Sequence, residues 1–177
     1  TSVFWDFVEL PSQMMENWCY EPEALALFAK HYETGEIIPQ DYVEKIKESA
    51  SFLEGMATLR QLSFGLLDMA FHSTNPTDIT DIKAFEKAAF EGTSLYPDVA
   101  ENCMSVSFSH IFQGGYSSGY YSYKWAEVLD ADAFAYFQEK GIFNTEVATK
   151  FKDNILSKGG TEHPMTLYKR FRGQEPK

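Results

Sequence analysis

Two cysteines, four histidines and a shortage of basic side chains are what this 177-residue sequence has least of, and each shortage excludes something. Cys19 and Cys103 form no Cys-x-x-Cys motif. A disulfide framework is therefore not expected, and a reducing compartment fits best. The histidines are His31, His72, His110 and His163, and no two are four residues apart. No single helix turn can present two imidazoles to one metal, so a His-Glu-x-x-His helix is absent. None has a glutamate three residues before it, which argues against a carboxylate di-iron bundle. Lys and Arg number 15 against 26 Asp and Glu, a formal net charge of -11. A nucleic-acid binder needs a concentrated cationic surface and is disfavoured, whereas cationic peptides suit this charge. No apolar run reaches membrane-spanning length, so no membrane partner is expected, and no signal peptide opens the chain. The chain starts at Thr1-Ser2 without an initiator methionine. It reads as the C-terminal piece of a larger protein, with a cytoplasmic parent expected and a periplasmic one left open.

What is present is apolar and aromatic material in quantity, 44% and 16% of residues, enough for a real core. The periodicity is helical throughout, and the fold class expected is all-α, with residues 1–177 as one helical unit of a larger, mostly helical protein. From Asp41 to His72, Val43, Ile46, Ala50, Leu53, Met56, Leu59, Leu62 and Leu66 recur at steps of three and four, the spacing of one helix face. Ser73 to Asp78 is a loop by composition. A shorter helix follows with Ile82, Phe85 and Ala89 inward, ending near Gly92. Residues 93–115 have no clean period and are expected as an extended loop. Asp130 is placed to cap a helix holding Phe134 and Phe137 and stopped at Gly141. Asn144 is placed to cap the next, with Val147, Phe151 and Ile155 aligned before Gly159-Gly160. A last helix begins around Pro164. No useful strand alternation or internal repeat appears.

Two constellations carry possible chemistry. On a helix starting near Asp6, the residues Asp6, Glu9, Gln13 and Glu16 form one narrow polar stripe, while Phe7, Leu10, Met14 and Trp18 face the core. Pro11 lies inside that helix and predicts a kink just after Glu9. An ordinary solvated acidic face would have the same spacing. The second runs from Phe108 to Tyr123. On a helix beginning at Gly115, Tyr116, Tyr120 and Tyr123 line one face, and Gly114-Gly115 is a candidate hinge. An aromatic core stripe accounts for the spacing as well. Three phenols in line nevertheless make a poor core, because each buried hydroxyl must find a partner. Facing a cleft, such donors can stabilise an oxyanion.

Both segments, in this order, resemble the thimet oligopeptidase-like zinc metallopeptidases, the family that includes oligopeptidase A and bacterial dipeptidyl carboxypeptidase. The run Asp6-Phe7-Val8-Glu9 followed by Pro11-Ser12-Gln13, Glu16 and Trp18 matches the family's block after its His-Glu-x-x-His motif. Phe108 to Trp125 matches its tyrosine and glycine segment. Ile155 to Gly160, Tyr168, Arg172-Gly173 and Pro176 look like its C-terminus. The resemblance implies that Glu9 is the third ligand of a catalytic Zn2+, with Glu16 and Asp6 supporting it from behind. It implies that Tyr116 and Tyr123 donate hydrogen bonds to the tetrahedral intermediate. His110, Tyr120, Gly114 and Gly115 would meet a short peptide substrate. Both zinc histidines and the catalytic glutamate are missing and by family order lie upstream of Thr1, in the N-terminal remainder of the same enzyme. The 177 residues alone are expected to hold zinc weakly and to be inactive. Internal cleavage and release of C-terminal dipeptides both stay open. The alternative is an autonomous helical module that binds a partner and does no chemistry. The basic cluster Lys169, Arg170 and Arg172 is expected as solvated surface.

Overall fold

The structure, a computed structural model, describes residues 2–177. The chain is all-α, as its periodicity implies, with nine α-helices and several 3-10 turns among the described residues. The α-helices are α1 (Leu10–Glu16), α2 (Pro22–Phe28), α3 (Gln40–Ser49), α4 (Glu54–Ser73), α5 (Ile82–Ala89), α6 (Ser109–Phe112), α7 (Ser122–Lys140), α8 (Thr145–Phe151) and α9 (Pro164–Arg172). Extended pairing among these residues is limited to an isolated antiparallel bridge between Lys30 and Ile37. Among the described residues no helix is long and apolar enough to cross a membrane. The helices group into two compact units, one formed by the chain up to Phe52 with Trp125–Lys177, the other by Leu53–Lys124.

The first unit is built around Phe7, Leu10, Met14, Leu129, Phe134, Phe137, Val147, Phe151, Ile155, Leu167, Tyr168 and Phe171. The α8 signals work as read: Asn144 Oδ1 accepts from the amides of Glu146 and Val147, and Val147, Phe151 and Ile155 are buried in line. The helix then widens into a π-type turn, Lys152–Leu156, before Gly159. Pro164 opens α9 in its first turn, where the His163 ring accepts from the Met165 amide. Of the expected basic surface, Arg172 is the exception. It lies 3.3 Å from the buried carboxylate of Asp132, which also accepts the Tyr168 hydroxyl at 2.7 Å. Arg170 pairs with Glu162 through its two terminal guanidinium nitrogens, and Lys169 pairs with Glu175.

The second unit has a smaller core of Phe64, Leu67, Phe108 and Ile111, with Phe71, Phe90, Met104 and Tyr120 against it. Two acids are buried here, Asp68 and Glu86. Glu86 accepts the amides of Met104 and Ser105 at 2.9 and 2.7 Å, the Ser105 hydroxyl at 2.5 Å and the Cys103 thiol at 3.9 Å. Burial works against its charge, but these donors outweigh it and hold its pKa below the usual carboxylate range.

Several expected elements are different. The single helix over 41–72 is two, α3 and α4, because Leu53 takes a left-handed backbone, φ 56°. Ser49 and Ser51 hydroxyls bond back to the carbonyls of Ile46 and Glu48 there, competing with the helix ladder. The buried face of α4 is Ser63, Phe64, Leu67 and Asp68, while Met56, Leu62 and Leu66 are exposed. Ile82 is likewise exposed, since the turn of α5 aims Phe85, Glu86 and Ala89 inward. Residues 93–115 are not wholly extended: a 3-10 turn at Met104–Val106 and α6 lie within them. Asp130 caps nothing. It lies inside α7, which runs unbroken to Lys140 because no helix breaker intervenes before Gly141, φ 104°.

Candidate functional site

The first candidate group stands at the entry to α1. The helix does not begin at Asp6. Trp5–Phe7 form a 3-10 turn, and α1 begins at Leu10. Pro11 therefore falls in the first helical turn, where its missing N–H costs nothing, and no kink follows. Glu9 is the residue before the helix. Its carbonyl accepts the Gln13 amide at 3.0 Å, and the Ser12 hydroxyl lies 2.7 Å from its Oε2. That hydroxyl fixes one carboxylate oxygen against the helix start. Glu9, Gln13 and Glu16 follow at i, i+4 and i+7 and share a helix face. Asp6, in the 3-10 turn, is outside that register.

The opposite side of the entry is locked down. Phe7, Leu10 and Met14 are in the core, and the Trp18 indole donates to the Ile142 carbonyl at 3.1 Å. Gln13 Oε1 is buried with no hydrogen-bond partner among the described residues. Asn17 reaches Asp130 Oδ1 at 3.4 Å. Burial pushes the Asp130 carboxyl up to about 6, the Asn17 bond works against this, and the charges of Glu127 and Glu16 add to it. The stripe is thus short, polar and partly withdrawn from water, unlike a freely solvated face.

The second group is in the Leu53–Lys124 unit. The helix expected from Gly115 is a series of turns ending at α7, with bonds from Gly119 N–H to Tyr116 O, Ser122 N–H to Gly119 O and Tyr123 N–H to Tyr120 O. Gly115 and Ser118 have left-handed backbones, φ 89° and 58°, incompatible with a helix through them. The phenols still converge. The Tyr123 ring lies 5.0 Å from those of both Tyr116 and Tyr120. His110, on α6, stands 6.1 Å from Tyr116, 6.1 Å from Tyr120 and 6.4 Å from Tyr123.

The glycines explain how the chain gets there. A Cβ on Gly114 would sit 2.7 Å from the His110 Cα and 2.9 Å from its carbonyl oxygen. Only glycine lets the chain double back this closely, and the Tyr116 amide then donates to the His110 carbonyl at 3.1 Å. Tyr120 packs edge-on to Phe64 and Phe108 and donates its hydroxyl to Gln61 Oε1 at 3.3 Å. Burial, and then the Tyr123 phenol, raise its pKa above the ordinary tyrosine value, so it remains a hydrogen-bond donor at neutral pH.

The anchor of this segment is a residue that periodicity passes over. Asp68, in α4, accepts the Ser118 amide on Oδ1 and the Tyr120 amide on Oδ2, both at 2.9 Å. Its signal was faint: a lone acid between Leu67 and Met69, with His72 one turn on.

A catalytic zinc ordinarily takes three protein ligands. Among the described residues no three His, Cys, Asp or Glu side chains are placed to hold a metal together. The donor set fits one part of such a site, an oriented carboxylate at Glu9.

The sequence profile of peptidase family M3 matches residues 1–177. Oligopeptidase A of Escherichia coli (strain K12) is 50% identical over 178 residues, covering 99% of this chain and 26% of that protein. Dipeptidyl carboxypeptidase of the same strain is 36% identical over 174 residues, 97% of this chain and 26% of that protein. Saccharolysin of Saccharomyces cerevisiae is 35% identical over 176 residues, 99% of this chain and 25% of that protein. The chain thus spans about a quarter of the length of these relatives.

Proposed function

The chain belongs to peptidase family M3, and from that premise we propose that it supplies one zinc ligand and the substrate-facing tyrosines of a metallopeptidase that hydrolyses short peptides. The observation that carries the reading is the convergence of Tyr116, Tyr120 and Tyr123 on His110 by way of turns and not of one continuous helix.

Glu9 would hold Zn2+ together with two imidazoles from outside this chain, and the metal would polarise the scissile carbonyl and acidify a bound water. Glu9 suits that part because the Ser12 hydroxyl fixes the rotamer of its carboxylate. Glu16, on the same face, and Asp6, one turn earlier, support its orientation and add negative charge near the metal. Tyr116 and Tyr123 donate O–H groups toward the carbonyl oxygen as it gains charge. Tyr120 and His110 hold the peptide, and Gly114-Gly115 lets the backbone of the segment approach it. The general base that takes the proton of water belongs to the remainder of the protein. The two units of this chain together form one part of that catalytic domain. The parent is soluble and cytoplasmic in this reading, in keeping with two free cysteines.

Metal analysis of the isolated 177-residue chain tests the division of ligands. A lone carboxylate holds zinc weakly, so less than stoichiometric zinc and no hydrolysis of a quenched fluorescent peptide are expected. One tight zinc per chain, or hydrolysis, would overturn it.

One feature favours a second reading, a helical module that binds a partner without chemistry. The first unit carries an apolar groove of about 710 Å³ lined by Met14, Met15, Trp18, Ile142, Phe143 and Leu156. Unchanged turnover in the complete polypeptide after both Glu9→Gln and Tyr123→Phe would select it.

A further inference from the structure

In the segment Ser117-Ser118-Gly119-Tyr120 the Ser117 hydroxyl donates to the Ile111 carbonyl at 2.5 Å and the Gly119 amide to the Tyr116 carbonyl at 2.8 Å. Two other amides of the segment donate to one side chain of α4. Ser118 N–H reaches Asp68 Oδ1 and Tyr120 N–H reaches Oδ2, each at 2.9 Å. Asp68 is 1% exposed. A third donor completes the carboxylate. His72 Nδ1 lies 2.8 Å from Asp68 Oδ1 and 2.8 Å from the Asp68 carbonyl oxygen. Both are acceptors, so the geometry assigns the ring proton to Nδ1.

A carboxylate suits this place because it has two acceptor oxygens and no donor. An asparagine amide would turn its NH2 toward one of the two backbone N–H groups and leave that amide unsatisfied. The two bonds also flank a strained residue. Ser118 holds φ 58°, a backbone that non-glycine residues keep only when their surroundings impose it. α4 can impose it, because Phe64 and Leu67 in the turn leading to Asp68 are in the core and Phe71 in the turn after it packs against that core.

We propose that Asp68 is a positioning residue of the tyrosine segment: through the amides of Ser118 and Tyr120 its carboxylate sets where the Tyr120 and Tyr123 phenols stand. The inference rests on the reading that these phenols serve a peptide substrate. Asp68 touches no substrate. It fixes the backbone from which Tyr120 projects, and Tyr123 follows through the hydrogen bond that its N–H donates to the Tyr120 carbonyl at 3.3 Å. A displacement of about 1 Å in such donors is enough to lose much of their effect on rate.

The test is Asp68→Asn in the complete polypeptide, beside Tyr123→Phe as a reference. Asp68→Asn is expected to lower kcat at least about tenfold with a much smaller change in KM and unchanged zinc content. Amide exchange at Ser118 and Tyr120 should accelerate at least about tenfold, with exchange in α9 unaltered. Full turnover in Asp68→Asn while Tyr123→Phe is impaired would overturn the positioning role and leave the role of the phenols standing. Full turnover in Tyr123→Phe would overturn the underlying reading, and the inference with it. A loss of kcat with unchanged exchange at Ser118 and Tyr120 would also overturn the inference. Should Asp68→Asn not fold, exchange in the unsubstituted protein decides. Protection of Ser118 and Tyr120 comparable to the middle of α4 supports the clamp, and exchange as fast as at Ser117 overturns it.

Discussion

The rings of Tyr116 and Tyr123 lie 5.0 Å apart, their planes inclined at 34°, with the His110 imidazole beside both. A core would gain nothing from hydroxyls here, since phenylalanine packs as well without a donor to satisfy. Tyr123→Phe keeps the ring and removes only the O–H. In the complete polypeptide it should lower turnover roughly a hundredfold, with a change in unfolding free energy of no more than about 1 kcal/mol. Turnover and denaturant unfolding measured on the same preparation separate the roles: a purely packing residue would leave turnover intact.

The two glycines should respond differently to alanine. At Gly114 the new methyl would meet the His110 backbone at 2.7 Å, and backbone yields only by moving α6. Gly114→Ala should therefore destabilise by about 1–3 kcal/mol and displace His110. At Gly115 nothing lies within 4 Å of the added Cβ, but φ is 89°. There the strain is in the backbone alone, and Gly115→Ala should cost about 1 kcal/mol while impairing turnover more than stability. Thermal unfolding and kcat of the two variants check the order.

How far the sequence foretold this arrangement depends on whether the governing force is local. The Asn144 cap, the Val147–Phe151–Ile155 line and the Pro164 start are local, and all three appear where the pattern placed them. The i, i+4, i+7 spacing of Tyr116, Tyr120 and Tyr123 suggested one helix face. The rings do gather, but through turns fixed by Gly114, Gly115 and a carboxylate 52 residues from Tyr120. Periodicity carries no record of such a tertiary bond. The break at Leu53 was hidden for a similar reason, because a left-handed leucine contradicts local preference. Asp68 and Glu86 were passed over because an acid among apolar residues is ordinarily solvated. Their burial follows from backbone donors that reach them from distant loops.

Asp130 makes stability depend on pH in a definite direction. An unfolded aspartate titrates near about 3.9, whereas burial pushes Asp130 up to about 6 in the fold. Between these values the folded state binds more protons than the unfolded state. The contribution of Asp130 is therefore fully present below the unfolded value and is lost as pH rises through about 6. Asp130→Asn removes the titration. Relative to the unsubstituted protein, the variant should gain stability from about pH 4 to about pH 7 and level off beyond. Unfolding midpoints of both proteins across that range check it, and a constant difference would contradict the buried carboxyl.

The zinc content of the Glu9→Gln variant of the complete polypeptide bears most directly on the functional reading. The substitution preserves length and shape but removes the anionic oxygen that Ser12 orients. The expected result is zinc well below one per chain after dialysis against a weak chelator, with turnover reduced at least about a hundredfold. One tightly held zinc per chain and near-unaltered turnover would contradict Glu9 as a metal ligand.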